Sequence, residues 1–177
     1  NNVAEEIYES LLMLQHRGQD AAGMVVCEPS GKLNSRKSKG YVRDVFQQNH
    51  MSNLQGNFGI GHVRYPTAGG IGKEFAQPMY VNTPYGISLA HNGNLTNSKK
   101  LAAELFHAER RHINTDSDSE VLLNIFALEI SKQEAVFPKP KDFFAAVEKT
   151  HLRINGAYAV VALITGYGIV AFRDPLG

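Results

Sequence analysis

The last quarter of the chain reads GAYAVVALI, then TGYG, then GIVAFRD: two runs with almost no polar interior, joined by a tight turn. A strand without polar alternation is covered on both faces, so this hairpin demands a layer above and a layer below. AAGMVVC and NFGIGHVR read as buried strands too, and MYVN and GISLAHN flank NTPYG as an earlier hairpin. Helical patterns occupy the intervals. Ile7, Leu11 and Leu14 recur at helical spacing behind a capping-box-like Asn2 and Glu5, with Gly18 beyond the end. Residues 43–54 read as a short helix, and residues 98–111, 118–131 and 141–153 as longer ones, the last two around the break FPKPKD. Strands, then helices, then strands again predict a layered α+β domain. Residues 65–78 carry glycines and prolines without apolar period, which predicts a long, mobile, functional loop.

Several function classes are disfavoured. Eighteen basic residues balance 17 acidic ones, so nothing electrostatic calls for nucleic acid or an anionic membrane. The basic runs SRKSK (residues 35–39) and ERRH (residues 109–112) read as solvated faces. The single cysteine, Cys27, cannot form an internal disulfide, and no signal-like or membrane-length segment is present; a reducing, cytoplasmic setting is expected. The seven histidines lack a paired-ligand spacing, and Asp116, Asp118 and Glu120 read as helix-start residues, so no metal is expected. GNFGIG opens no helix and is no dinucleotide fingerprint. No linker or repeat divides residues 1–177, which predicts one domain, and both ends read as those of a fragment.

Three features carry chemistry. Asn92-Gly93, after an apolar strand, offers a side-chain amide and a backbone N–H, the paired donors of an oxyanion hole, or equally a plain turn dipeptide. Arg64 ends a strand beside the long loop, as a carboxylate clamp or as an ordinary surface arginine. Asp118 lies in TDSDSE, where Ser117 and Glu120 form a capping box; it is either a helix-dipole acid or an ammonium anchor. Together the three are the contacts that hold a free amino acid by its head group while its side-chain carbonyl is attacked. Glutamine fits.

LQHRGQDAAG, GHVRYPTAG, AHNGNLTN, SDSE and GAYAVVALI…AFRDPLG follow the order and spacing of the amidophosphoribosyltransferase family, and nearly the whole chain resembles the glutaminase domain of those glutamine-dependent enzymes. Looser versions of RGxD and HNG mark other class II glutaminases such as glucosamine-6-phosphate synthase. The resemblance implies a four-layer αββα N-terminal-nucleophile fold, incomplete at both ends here. It also implies a cysteine at the mature amino terminus, whose α-amine, of ordinary pKa about 7.7–8.0, acts as general base. By motif position Arg64 binds the glutamine α-carboxylate, Asp118 binds the α-ammonium, and Asn92 with Gly93 holds the oxyanion. Arg17, Gly18 and Thr67 are supporting residues, and the loop of residues 65–78 closes over the substrate.

Two parts of the pattern are absent from the sequence. The Cys-Gly-Ile start belongs roughly ten residues before Asn1, on a strand that should lie inside a sheet. A phosphoribosyltransferase domain, with its Mg and phosphate-binding loop, belongs after the RDPLG string. Asn1 has no nucleophilic side chain, and Cys27 reads as a buried structural thiol, so the chain alone is expected to be inactive. The expected partners are L-glutamine and the phosphoribosyltransferase part of a homo-oligomeric parent enzyme that makes phosphoribosylamine, the first step of de novo purine synthesis. The rival readings are another class II amidotransferase and a glutamine-binding module without chemistry.

Overall fold

The computed structural model describes residues 2–65 and 72–175. Two antiparallel sheets face one another, each with helices on its outer side. The first sheet has the order β2-β1-β3, from β1 (Ala21–Cys27), β2 (Leu33–Lys39) and β3 (Phe58–Arg64). The second has the order β4-β5-β6-β7, from β4 (Met79–Val81), β5 (Ile87–Leu95), β6 (Gly156–Ile164) and β7 (Gly168–Arg173). Helix α1 (Ala4–Met13) and the short α2 (Val42–Val45) cover the first sheet, with α3 (Gln48–Met51) following α2; α4 (Ser98–His107), α5 (Asp118–Ser131) and α6 (Pro140–His151) form the layer on the second.

The alternation of side chains along each strand explains the layering. On β1, Ala22, Met24 and Val26 join Leu11, Val42 and Phe46 in the outer core, while Cys27 faces inward against Ile60 and Leu163. Every residue of β1 is buried, as its unbroken apolar run requires. Gly59 and Gly61 of β3 let α1 approach: a methyl on either would meet Ile7, and on Gly61 Leu11 as well. The strongest single contribution comes from α5, buried nearly all round between the second sheet, α4 and α6. Leu122, Leu123, Ile125 and Phe126 are wholly inaccessible there, each worth about 1.5–3 kcal/mol of apolar burial. No described helix is long and apolar enough to cross a membrane.

Four local expectations are corrected. SRKSK is not merely a solvated face but most of β2, whose polar composition suits a strand with β1 on one side only. Residues 43–54 hold two short helices rather than one. Asn2 does not form a capping box: the helix cap is Val3, and Asn2 Oδ1 accepts the Gly56 N–H at 3.2 Å, with a longer contact of 3.4 Å from the Ala4 N–H. Ser117 does cap α5, but Glu120 reaches past it to the Asn114 and Thr115 N–H groups at 2.9 and 2.8 Å.

Candidate active site

A cleft of about 270 Å³ opens where the end of β3, the middle of β5 and the start of α5 converge, and Arg17, Arg64, Asn92, Gly93 and Asp118 all line it. Five of the seven residues singled out in the sequence are thus brought together. Gly18 stands just behind, packed so closely on the β3 backbone that a Cβ would lie 2.6 Å from the Val63 carbonyl carbon and oxygen. Thr67 lies outside the described residues.

Asn92-Gly93 is not a turn. It lies within β5, where Asn92 pairs with Ala159 and Gly93 with Tyr158. Gly93 has φ 149°, and a methyl there would run into the Ala157 carbonyl oxygen, so the close β6 backbone demands glycine. The pairing also fixes where its N–H points. Tyr158 spends its own backbone on Asp174, donating its N–H to Oδ2 at 3.0 Å and accepting the Asp174 N–H at 2.9 Å. Gly93 and Tyr158 therefore form a non-hydrogen-bonded pair, and the Gly93 N–H points away from β6. The same edge of β5 carries the His91 and Leu95 N–H groups two residues either side. Gln77 Oε1 accepts the first at 2.6 Å, and Asp118 Oδ2 accepts the second at 2.9 Å. Between two occupied donors, the Gly93 N–H faces the cleft.

Arg64 is no surface residue. Only 5% exposed, it donates Nη1 to Asp20 Oδ2 at 2.6 Å and stacks its guanidinium 5.4 Å from the centre of the Phe75 ring. A guanidinium carries five donors, so the Asp20 pairing orients the fork and is compatible with a second carboxylate. The sequence reading missed Asp20, although it is the acid of the RGQD string.

His62, Gln77, His91 and Ser119 were also missed. Gln77 Nε2 donates to the His91 carbonyl at 3.1 Å and to Ser119 Oγ at 3.2 Å. Ser119 Oγ also lies 3.0 Å from His91 Nδ1, in hydrogen-bond contact with it. Burial lowers the pKa of His91, against the opposing pull of Asp118, whose Oδ1 lies 3.9 Å from Nδ1. His62 is driven down to about 4, first by burial and then by the neighbouring His91 and Arg64. The floor of the cleft is therefore neutral between a cationic and an anionic wall. None of these four has periodic spacing; the one sequence cue was a polar residue before Pro78, at the foot of β4.

The end of the segment read as a mobile loop is fixed, since Ala76 is wholly buried and Gln77 is 6% exposed. Residues 66–71 of that segment lie outside the described residues. Cys27 is remote from the cleft: it is buried between the sheets, and burial raises its thiol pKa. No cluster of three or more potential metal-binding side chains occurs among the described residues.

The family model described as "Glutamine amidotransferase domain" matches residues 71–177, more than half of the chain. The chain belongs to this family. The amidotransferase domain is 59% identical over 175 residues to an amidophosphoribosyltransferase of Pseudomonas aeruginosa, and 56% identical to the one of Escherichia coli. Each match covers 99% of this chain and 35% of the relative. It is 39% identical to the corresponding protein of Methanocaldococcus jannaschii, again over 99% of the chain and 36% of that relative. Among solved structures it resembles glutamine phosphoribosylpyrophosphate amidotransferase from B. subtilis, described as complexed with ADP and GMP, with a TM-score of 0.80 and 32% identity. That likeness covers 98% of this chain and 35% of the other. A structure titled as the allosteric regulatory enzyme of purine biosynthesis gives 0.81 and 34% over the same shares. The amidotransferase domain thus has the four-layer N-terminal-nucleophile fold, and the chain spans about a third of the length of its curated relatives.

Proposed function

We propose that this chain is the glutamine-hydrolysing domain of an amidophosphoribosyltransferase, and that the ammonia it releases is used to make phosphoribosylamine from phosphoribosyl pyrophosphate, the first step of de novo purine synthesis. The observation that carries the hydrolytic half is the Gly93 N–H, held by strand pairing toward a cleft that also has a buried arginine and a helix-start carboxylate on its walls. The names of the relatives, matched over nearly the whole chain, support the acceptor.

In this reading Arg64 receives the α-carboxylate of glutamine, and Asp118 receives the α-ammonium on the carboxylate that Leu95 already orients. The thiolate of an amino-terminal cysteine attacks the side-chain carbonyl carbon. The resulting oxyanion is met by the Gly93 N–H, which strand pairing holds toward the cleft, and by the Asn92 amide. The cysteine's α-amine has taken the thiol proton, and the α-ammonium so formed gives that proton to the amide nitrogen as the tetrahedral intermediate collapses to the thioester and ammonia leaves. Water then hydrolyses the thioester to glutamate and regenerates the thiol. Arg17 and Thr67 support the site, and Gly18 keeps the turn after α1 against the Arg64 strand.

Cys27 takes no part, being sealed between the sheets with its thiol held protonated by burial. The reading gives the domain no cofactor and assigns Mg to a phosphoribosyltransferase part of the parent enzyme, which is proposed to be a cytoplasmic homo-oligomer.

Glutamate release from glutamine is the test. The full-length enzyme should hydrolyse glutamine, and the Cys27→Ala variant should do so at an unchanged rate. The 177-residue chain alone should release no glutamate; turnover by it that survives Cys27→Ala would overturn the assignment of the nucleophile.

A further inference from the structure

We infer that Gln77 is a positioning residue for the oxyanion donor: its side chain ends the β4–β5 ladder and so leaves the Gly93 N–H facing the cleft. The inference rests on the proposed glutamine hydrolysis, and it follows from the register. Met79 pairs with Leu89 and Val81 with Ile87, so the next residue on that edge, Gln77, falls opposite His91. Pro78 has no N–H, and the chain before it turns into the short helical turn Lys73–Phe75, so the strand does not continue. The carboxamide of Gln77 stands in for the missing peptide. Its Oε1 accepts the His91 N–H at 2.6 Å and its Nε2 donates to the His91 carbonyl at 3.1 Å, the two bonds a neighbouring strand would make.

Two more residues of ladder would bring a carbonyl against Gly93 and occupy the donor the reaction needs. One residue less would leave the His91 peptide buried without partners and free to tilt. Gln77 satisfies His91 and stops there, while Asp118 fixes Leu95 on the far side. The second Nε2 proton, on Ser119 Oγ at 3.2 Å, links the carboxamide to the first turn of α5. Gln77 makes no contact with the substrate in this scheme; it acts through β5.

The experiment uses the full-length enzyme. Gln77→Met keeps the length of the side chain and removes all three hydrogen bonds. It should lower kcat for glutamine hydrolysis by about 10-fold to 100-fold, the scale of a misplaced donor, with KM changed by less than about threefold because Arg64 and Asp118 still hold the head group. Ser119→Ala, which leaves both bonds to the His91 peptide, should change kcat by less than about threefold. An unchanged kcat in Gln77→Met, or a rise in KM that accounts for the whole loss, overturns the inference. A purely structural role would lower stability without this split.

Amide hydrogen exchange in the unsubstituted, ligand-free enzyme gives a second reading if Gln77→Met does not fold. The His91 and Leu95 amides should be protected and the Gly93 amide between them should exchange fast; equal protection at all three overturns the inference. Absence of glutaminase activity in the unsubstituted enzyme would instead overturn the proposed function, and exchange would still decide the placement of the donor.

Discussion

Two arginines in this molecule pair with carboxylates at similar distances, and they have opposite surroundings. Arg153, just after α6, donates Nη1 to Glu129 at 2.5 Å and Nη2 to Glu104 at 2.5 Å, and Glu129 is shared with Lys132 at 3.5 Å. Two cations and two acids thereby pin the ends of α4, α5 and α6 together, with Lys132 also reaching Glu109. Arg64 pairs with Asp20 at 2.6 Å, but it lines the cleft beside histidines that burial keeps neutral. The first arginine is enclosed by acids within the helical layer. The second is oriented by an acid at the wall of an open volume that a carboxylate can enter. A short ion-pair distance alone does not separate structure from function; what else the cation faces does.

Substituting both arginines by methionine tests the comparison most strongly. Each change removes the nearest cation from an acid that is buried or nearly so, Asp20 or Glu129, and should cost about 2–4 kcal/mol of stability in denaturant unfolding. Only Arg64→Met should also reduce kcat/KM for glutamine, by about a hundredfold to a thousandfold, or roughly 3–4 kcal/mol for a charge-assisted clamp. Arg153→Met should keep normal kinetics at temperatures where it is folded. Equal kinetic losses in the two variants would mean that Arg64 is only a structural pair.

The contrast between the two pairs also marks what could be read in the sequence. The layers were legible because an apolar run such as AAGMVVC leaves a strand no choice but burial, and α5 was legible to its end residues. GAYAVVALI and GIVAFRD did form the expected hairpin, but not one covered on both faces: Ala157, Ala159 and Val161 of β6 are exposed and β7 alternates between exposed and half-buried residues, because an apolar run records composition and not which face a neighbouring layer covers. The strand through Asn92-Gly93 was not, because the dipeptide has the chemistry of a turn and only the β6 backbone, by pairing with it, overrides that preference. Arg64 and Asp118 were found as candidates through their motifs. Gln77 and Asp20 were not, since their partners lie 14 and 44 residues away and side-chain hydrogen bonds over such separations leave no period.

Acid should separate the two regions next. His62, beside Arg64, titrates at about 4 in the folded protein against an ordinary value of 6.5, with burial as the main cause. The unfolded chain therefore binds this proton more readily, so the stability is fully present above pH 6.5 and is lost as pH falls from there toward 4, by on the order of 3 kcal/mol. His62→Gln removes that titration. Unfolding free energies measured between pH 7 and 4.5 should show a flatter profile for His62→Gln than for the unsubstituted protein, and parallel profiles would refute the assignment. The Arg153 cluster contains no histidine, so Arg153→Met should shift the profile down without changing its shape across pH 5–7.

The smallest effect should come from the outermost cation of the helical cluster. Lys132 is about half exposed as a side chain, and its ammonium lies 3.4 Å from Glu109 and 3.5 Å from Glu129, so water competes for every contact it makes. Arg153, much less exposed, already satisfies Glu129 at 2.5 Å. Lys132→Ala should therefore cost only about 0.2–1 kcal/mol, a loss that shrinks further in high salt as screening weakens the exposed pair. A loss comparable to that of Arg153→Met, and insensitive to salt, would show that Glu129 depends on both cations and that the helical cluster is one indivisible unit. A small, salt-sensitive loss would leave Arg153 as the cation that anchors the helical layer, as Asp20 is the acid that orients Arg64 at the cleft.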